Sequence, residues 1–211
     1  MKYYSIELSA DPKVIGKNYP QTSCTTLAQA HLINSWKLFN PQPNLGFELN
    51  KSAVLTDFLS TSAVSSKGFL VGQTVKELLA DFKLMQHQFF NAPVSEKKNT
   101  HPYFWLHLSE PSLSRLLDYE KSVFFRTEYT FREEEIQLKS YDHYDQLKKE
   151  DKDASFGVEL DSIVLGSEFD RTLDIFTFLP FATGIFISER LATALKESGL
   201  SGIEIKEAPI S

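Results

Sequence analysis

One cysteine, two methionines and two tryptophans stand in a chain of 211 residues. With Cys24 alone, no intrachain disulfide can form and no thiolate zinc site can begin, which fits a reducing compartment. Its neighbours Thr22, Ser23, Thr25 and Thr26 supply no base or cation to generate a thiolate, so Cys24 reads as incidental. No apolar run approaches the roughly 20 residues that span a bilayer. The stretch MKYYSIELSADP alternates and carries Glu7 where a signal peptide needs an unbroken apolar core, so a cytoplasmic location without membrane contact is expected. Positive charge is scarce beyond the middle of the chain. Residues 1–108 hold ten Lys and Arg against seven Asp and Glu, residues 109–161 eight against fourteen, and residues 162–211 four against seven. Phosphate backbones are repelled by such a surface, which argues against nucleic acid, whereas a basic protein is attracted to it.

Reaction motifs are missing as well. His31, His87, His101, His107 and His143 show no short metal-ligand spacing, and there is no HExxH, GxSxG or GxxxxGK sequence. Gly68, Gly72, Gly184, Gly199 and Gly202 sit where turns and helix ends are expected. Asp142-His143-Tyr144-Asp145 reads as a solvated helix start. Glu133 and Glu135 alternate and could share a strand face, but nothing around them suggests a pocket. No catalytic residue, metal or cofactor is expected.

What the chain does have is aromatic bulk: seventeen phenylalanines and eight tyrosines in a composition that is 42% hydrophobic. This favours a large sheet content around an aromatic core. Strand patterns fall at Lys2–Ser9, Leu32–Phe39 (where a short helix is the alternative), Phe47–Leu49, Ala53–Leu59, Pro102–Leu108, Ser122–Phe131, Val158–Leu165 and Asp174–Phe178. Pro102–Leu108 is apolar or aromatic on both faces and is expected at the centre of a sheet. Asp142–Asp153 is charged throughout, as an exposed helix or loop would be. Without regular β-α alternation, the expected class is α+β, mostly antiparallel or mixed sheet with few helices. Residues 1–211 are read as one domain, with 1–100 and 101–211 as candidate halves joined at the polar Ser95–His101.

Gly184–Ile210 reads as strand, helix, strand. Ile185–Ile187 is β-favouring, Ser188 is an N-cap, and Leu191, Ala194 and Leu195 form a helical apolar face. Gly199 stops the helix, and Ile203 and Ile205 alternate with Glu204 and Lys206. Gly68–Val94 aligns with this unit without a gap, matching at Gly68, Leu79, Leu84, Ala92 and Pro93. An internal structural repeat is a candidate.

The run Phe186-Ile187-Ser188-Glu189-Arg190-Leu191, continued by Ala194-Leu195-Lys196-Glu197 and Gly199-Leu200-Ser201-Gly202-Ile203-Glu204, resembles the end of bacterial immunity proteins of polymorphic-toxin systems. Immunity families eleven and forty-three both fit. Leu173-Asp174-Ile175-Phe176, Thr56-Asp57-Phe58-Leu59-Ser60 and Gly68-Phe69-Leu70-Val71 resemble earlier parts of that pattern, with Gly72 where it has serine. The resemblance implies a cytoplasmic, non-enzymatic protein that binds and blocks a cognate toxin. If that toxin is a nuclease with a basic cleft, an acidic face could fill the cleft. Glu133, Glu134, Glu135, Asp142 and Asp145, with Tyr141 or Tyr144 as aromatic anchors, are then the candidate contacts. The alternative is an enzyme or small-molecule binder whose pocket assembles His107, His143 and scattered acids.

Overall fold

The computed structural model describes residues 2–129, 131–181 and 184–211. The first half of the chain runs through β1 (Tyr3–Leu8), α1 (Pro12–Ile15), β2 (Thr22–Cys24), α2 (Leu27–Ala30), β3 (Phe47–Leu49) and β4 (Phe58–Leu59). Next come β5 (Gly68–Gly72), α3 (Gln73–Leu79), β6 (His87–Asn91), β7 (Val94–Glu96), β8 (Asn99–His101) and β9 (Tyr103–Leu108). After a 3₁₀ helix (Pro111–Leu116) follow β10 (Val123–Glu128), β11 (Phe131–Ile136), α4 (Tyr141–Glu150) and β12 (Phe156–Ser162). The chain closes with β13 (Ile175–Phe176), β14 (Ile185–Ser188), α5 (Glu189–Glu197) and β15 (Ile203–Glu207). The class is α+β: four small antiparallel or mixed sheets with orders β13-β14-β1-β15, β4-β5-β9-β6, β2-β3-β7-β8 and β11-β10-β12.

Two of these sheets share one plan. In each, a two-residue edge strand, a strand leading into a helix, and the strand after the helix surround a central antiparallel strand, β9 in one and β1 in the other. Matching backbone bonds mark equivalent positions. Gly72 N–H donates to Asp57 O at 2.8 Å and Ser188 N–H to Asp174 O at 3.1 Å. Ala92 and Ala208 each donate to the first tyrosine of the central strand, Tyr103 O and Tyr3 O, both at 3.0 Å. Ser109 donates to Gln86 O and Ser9 to Gly202 O. The central strands therefore superpose as Tyr103-Phe104-Trp105-Leu106-His107-Leu108-Ser109 on Tyr3-Tyr4-Ser5-Ile6-Glu7-Leu8-Ser9. One central strand follows its strand-helix-strand unit in the chain, and the other precedes it.

The sheets meet reciprocally. The edge residue Asp174 takes Lys83 N–H on its Oδ2 at 2.8 Å, while its equivalent Asp57 takes Ser201 N–H at 2.8 Å and Ser201 Oγ–H at 2.7 Å. Met85 N–H donates to Ile175 O and Phe58 N–H to Ser201 O. Each sheet's edge thus grips the loop entering the other sheet's last strand. Gly202 is needed at one junction, since a Cβ there would lie 2.1 Å from Phe58 O, at a φ of +92°. The larger core draws on both sides of Ser95–His101, with Phe58, Phe69, Leu106, Phe176 and Ile187 among its buried members.

The structure departs from the expected strands in places. Leu32–Phe39 is irregular, because side chains rather than a ladder satisfy its backbone. Gln88 brackets Phe39 with both amide atoms (2.8 and 3.0 Å) and His107 Nε2 meets Lys37 O at 2.9 Å, while the segment's own Ser35 Oγ accepts from Lys67 N–H. Of Ala53–Leu59 only the last two residues form a strand; upstream, Gln21 Nε2 donates to Val54 O and Thr56 Oγ1 donates to Phe58 O. Ser95–His101 lies within the β7–β8 hairpin. Gly199 adopts the left-handed cap, φ +67°, and Ser188 caps α5 through Leu191 N–H.

Candidate partner-binding face

The three-stranded sheet β11-β10-β12 gathers the acidic middle of the chain. Phe124 fixes its inner side: fully buried, it lies opposite Ile136 and Leu160 and stacks on Tyr119, with Phe181 edge-on. The next residue, Phe125, points the other way by strand alternation and stands between Glu135 and Glu159. Arg132 lies 3.5 Å over the Phe125 ring and reaches Asp161 at 2.7 Å and Glu159 at 3.6 Å. Arg126 meets Glu134 at 3.4 Å. A register shift between Phe125 and Thr127 sets two β11 residues against one of β10, a bulge that twists the edge. Across the three strands, two arginines face six carboxylates: Glu128, Glu133, Glu134, Glu135, Glu159 and Asp161.

β11 is the outer strand. Phe131 to Glu135 are all exposed, and the backbone of β11 has no partner among the described residues other than β10. At the hairpin tip Tyr129 and Phe131 are each 71% exposed, unusual for aromatic rings.

Helix α4 carries the remaining predicted contacts. Ser140 caps it by accepting from His143 N–H at 3.1 Å; Asp142 occupies the first turn and Lys148 and Lys149 the last, as the helix dipole favours. Arg115 bonds Asp142 at 2.6 Å, reaches Asp145 at 4.0 Å and lies 4.4 Å from the Tyr141 ring centre. The Asp142 bond, above all, holds the Arg115 pKa up. Burial also raises the Tyr141 hydroxyl. Tyr144 is an inward residue: 5% exposed and 4.9 Å edge-on from Phe181, its phenol pushed by burial to about 12. It anchors the helix to the core, so of the two tyrosines only half-buried Tyr141 has a ring within reach of a partner. The acids of the sheet and of α4 pair with different arginines: Glu134 with Arg126, Glu159 and Asp161 with Arg132, and Asp142 and Asp145 with Arg115.

Sequence patterning missed Tyr129 and Phe131, although two aromatic residues flanking a charged run were its visible signal. It also missed a second apolar surface. Leu27, Leu32, Trp36 and Leu38 are exposed, and a groove of about 380 Å³ is lined by Leu32, Ile33, Phe39, Pro41 and Pro43.

His107 lies on β9 and His143 on α4, in different surroundings. His107 is buried between Phe90 and Phe39 with Nε2 on Lys37 O, and burial lowers its pKa; His143 belongs to the start of α4. Among the described residues no three His, Cys, Asp or Glu side chains are placed to hold a metal ion. A cleft of about 600 Å³ opens at the start of α5, lined by Arg171, Thr172, Asp174, Ser188, Glu189 and Arg190. Its carboxylate, Asp174, is 3% exposed and saturated: it accepts from Ser188 Oγ at 2.6 Å, from Lys83 N–H and from both Nε and Nη2 of Arg190. Burial works to raise its pKa, but the bonds from Arg190, Ser188 and Lys83 outweigh it and hold the carboxyl ionised. A carboxylate so satisfied is a poor proton acceptor. No protein-family model matches the chain, and no curated protein matches it either.

Proposed function

We propose that this protein is a cytoplasmic immunity-type protein that binds a basic toxin, of nuclease type, and blocks it by occupying its cleft. It performs no reaction of its own. The observation that carries this reading is the β11-β10-β12 sheet, where six carboxylates against two arginines accompany half-buried Phe125 and exposed Tyr129 and Phe131. Negative charge of this density steers a basic partner into contact, and aromatic rings supply the desolvated anchors that charge alone lacks. The cleft at α5 supports a small-molecule reading less well, because its buried carboxylate is already committed to Arg190, Ser188 and Lys83.

The test is co-expression with any toxin-like protein encoded beside it. Wild type should restore growth and co-purify with the toxin, and Glu133→Lys with Glu135→Lys should abolish both. Failure to protect against every adjacent toxin sinks the reading.

A further inference from the structure

The open edge of β11 points to a specific mode of contact. We infer that the partner binds by strand addition, a basic extended segment pairing with Phe131–Ile136 as a fourth strand of the β11-β10-β12 sheet. The inference rests on the toxin-binding reading for who the partner is, but its chemistry comes from the edge itself. An unpaired strand edge presents a row of N–H and C=O groups to any extended chain, and proteins normally blunt such edges with lysine, proline, brevity or cover. β11 has neither lysine nor proline, runs six residues, and has no described element over its outer side. Six residues at about 3.4 Å each give roughly 20 Å of ladder. What guards this edge is charge of one sign, together with the bulge opposite Arg126 that twists it. Glu133, Glu134 and Glu135 stand in a row, so a second copy laid edge to edge would set three glutamates against three. The same row favours an incoming strand that carries Lys or Arg. Glu134 pairs with Arg126 while Glu135 stands opposite Phe125, residues that point to opposite faces, so basic side chains on either face of the added strand find a carboxylate. Tyr129 and Phe131, at the tip, offer apolar contact where the ladder ends.

The probe is a capped ten-residue peptide of alternating Lys and Thr, compared with its fully N-methylated form. That form keeps every positive charge but donates no backbone hydrogen bond. Strand addition predicts slowed amide exchange within Phe131–Ile136 when the peptide is added to the full chain. It also predicts at least tenfold weaker binding of the methylated form, and loss of binding in Glu133→Lys with Glu135→Lys. Phe131→Ala should weaken binding several-fold, with an unchanged unfolding midpoint showing that the hairpin is intact. Equal affinity for the two peptides without slowed exchange overturns strand addition while leaving the acidic face as a side-chain docking surface. Absence of peptide binding overturns it too, as does a dimer in sedimentation whose β11 amides are protected without peptide. The toxin reading stands or falls separately, on growth rescue.

Discussion

Asp174 and His107 show how single buried polar groups are held at opposite ends of the charge scale. Asp174 is kept ionised by donors from three elements, and Arg190, which also lies 4.5 Å from the Phe82 ring, ties α5 to the loop after α3. Truncating Asp174→Ala leaves Ser188, Lys83 N–H and the guanidinium without their acceptor. A loss of about 1–3 kcal/mol in urea-unfolding stability is expected, the scale for leaving buried donors unsatisfied, since the exposed Arg190 guanidinium can turn to water. Asp170, held near a pKa of about 2 chiefly by its Lys83 bond, shares this acid sensitivity. Both carboxyls have depressed folded pKa values, so their contribution is full above the unfolded value near 3.8 and is lost as pH falls through the folded pKa, which for Asp170 is about 2. His107 behaves in the opposite sense. Its Nε2 must donate to Lys37 O, which leaves buried Nδ1 without a partner, and protonation there would place a cation between two phenylalanine rings. With the folded pKa below 6.5, the unfolded chain takes up the proton first, so stability should decline as pH drops below about 6.5. In His107→Gln, which can still donate to Lys37 O but does not titrate, the slope of unfolding free energy between pH 5 and 6.5 should flatten. An unchanged slope would assign it to other groups.

At the scale of elements, the two glycines near α5 separate backbone strain from crowding. Gly199 has φ +67° with nothing within 4 Å of a built Cβ, so Gly199→Ala should cost about 1 kcal/mol, the left-handed penalty alone. Gly202 adds a contact of 2.1 Å to Phe58 O at the sheet junction, so Gly202→Ala should cost at least about 2 kcal/mol more in chemical denaturation. Equal costs would mean that the junction yields freely. These junctions also explain what sequence patterning could reach. The strand-helix-strand units were legible because Ser188, Gly199, Ile203 and Ile205 carry local signals for cap, stop and alternation. The centrality of β9 was legible from its two apolar faces. The rest of the repeat was not, because its central strands are offset by 100 residues while the helical units are offset by 116; no single alignment joins Tyr103 to Tyr3 and Gly68 to Gly184. Leu32–Phe39 failed for another reason: its alternation is real over a few residues, but Gln88 and His107 capture the backbone of Phe39 and Lys37 from afar. On the candidate face, the glutamate run was visible in the sequence, whereas the burial of Tyr144 depends on Phe181, thirty-seven positions away.

For the whole molecule, two surfaces compete as the place where a partner lands, and they differ in the physics of association. The β11-β10-β12 face is charged and should act through steering, whereas the surface with Leu27, Leu32 and Trp36, which is 51% exposed, is apolar and should act through burial. If the acidic face carries recognition of a basic toxin, Glu133→Lys with Glu135→Lys should slow association by at least tenfold at low salt. The remaining rate should then show little dependence on ionic strength, because the screened attraction has been removed. Trp36→Ala should leave both the association rate and its salt dependence unchanged. Stopped-flow kinetics over about 0.02–0.5 M salt separates these outcomes, since screening lengths fall from tens of ångströms to a few across that range. A Trp36→Ala variant that binds weakly through faster dissociation, alongside a charge-reversed variant that binds normally, would move the interface to the apolar surface and leave the glutamates of β11 as a guard against self-pairing.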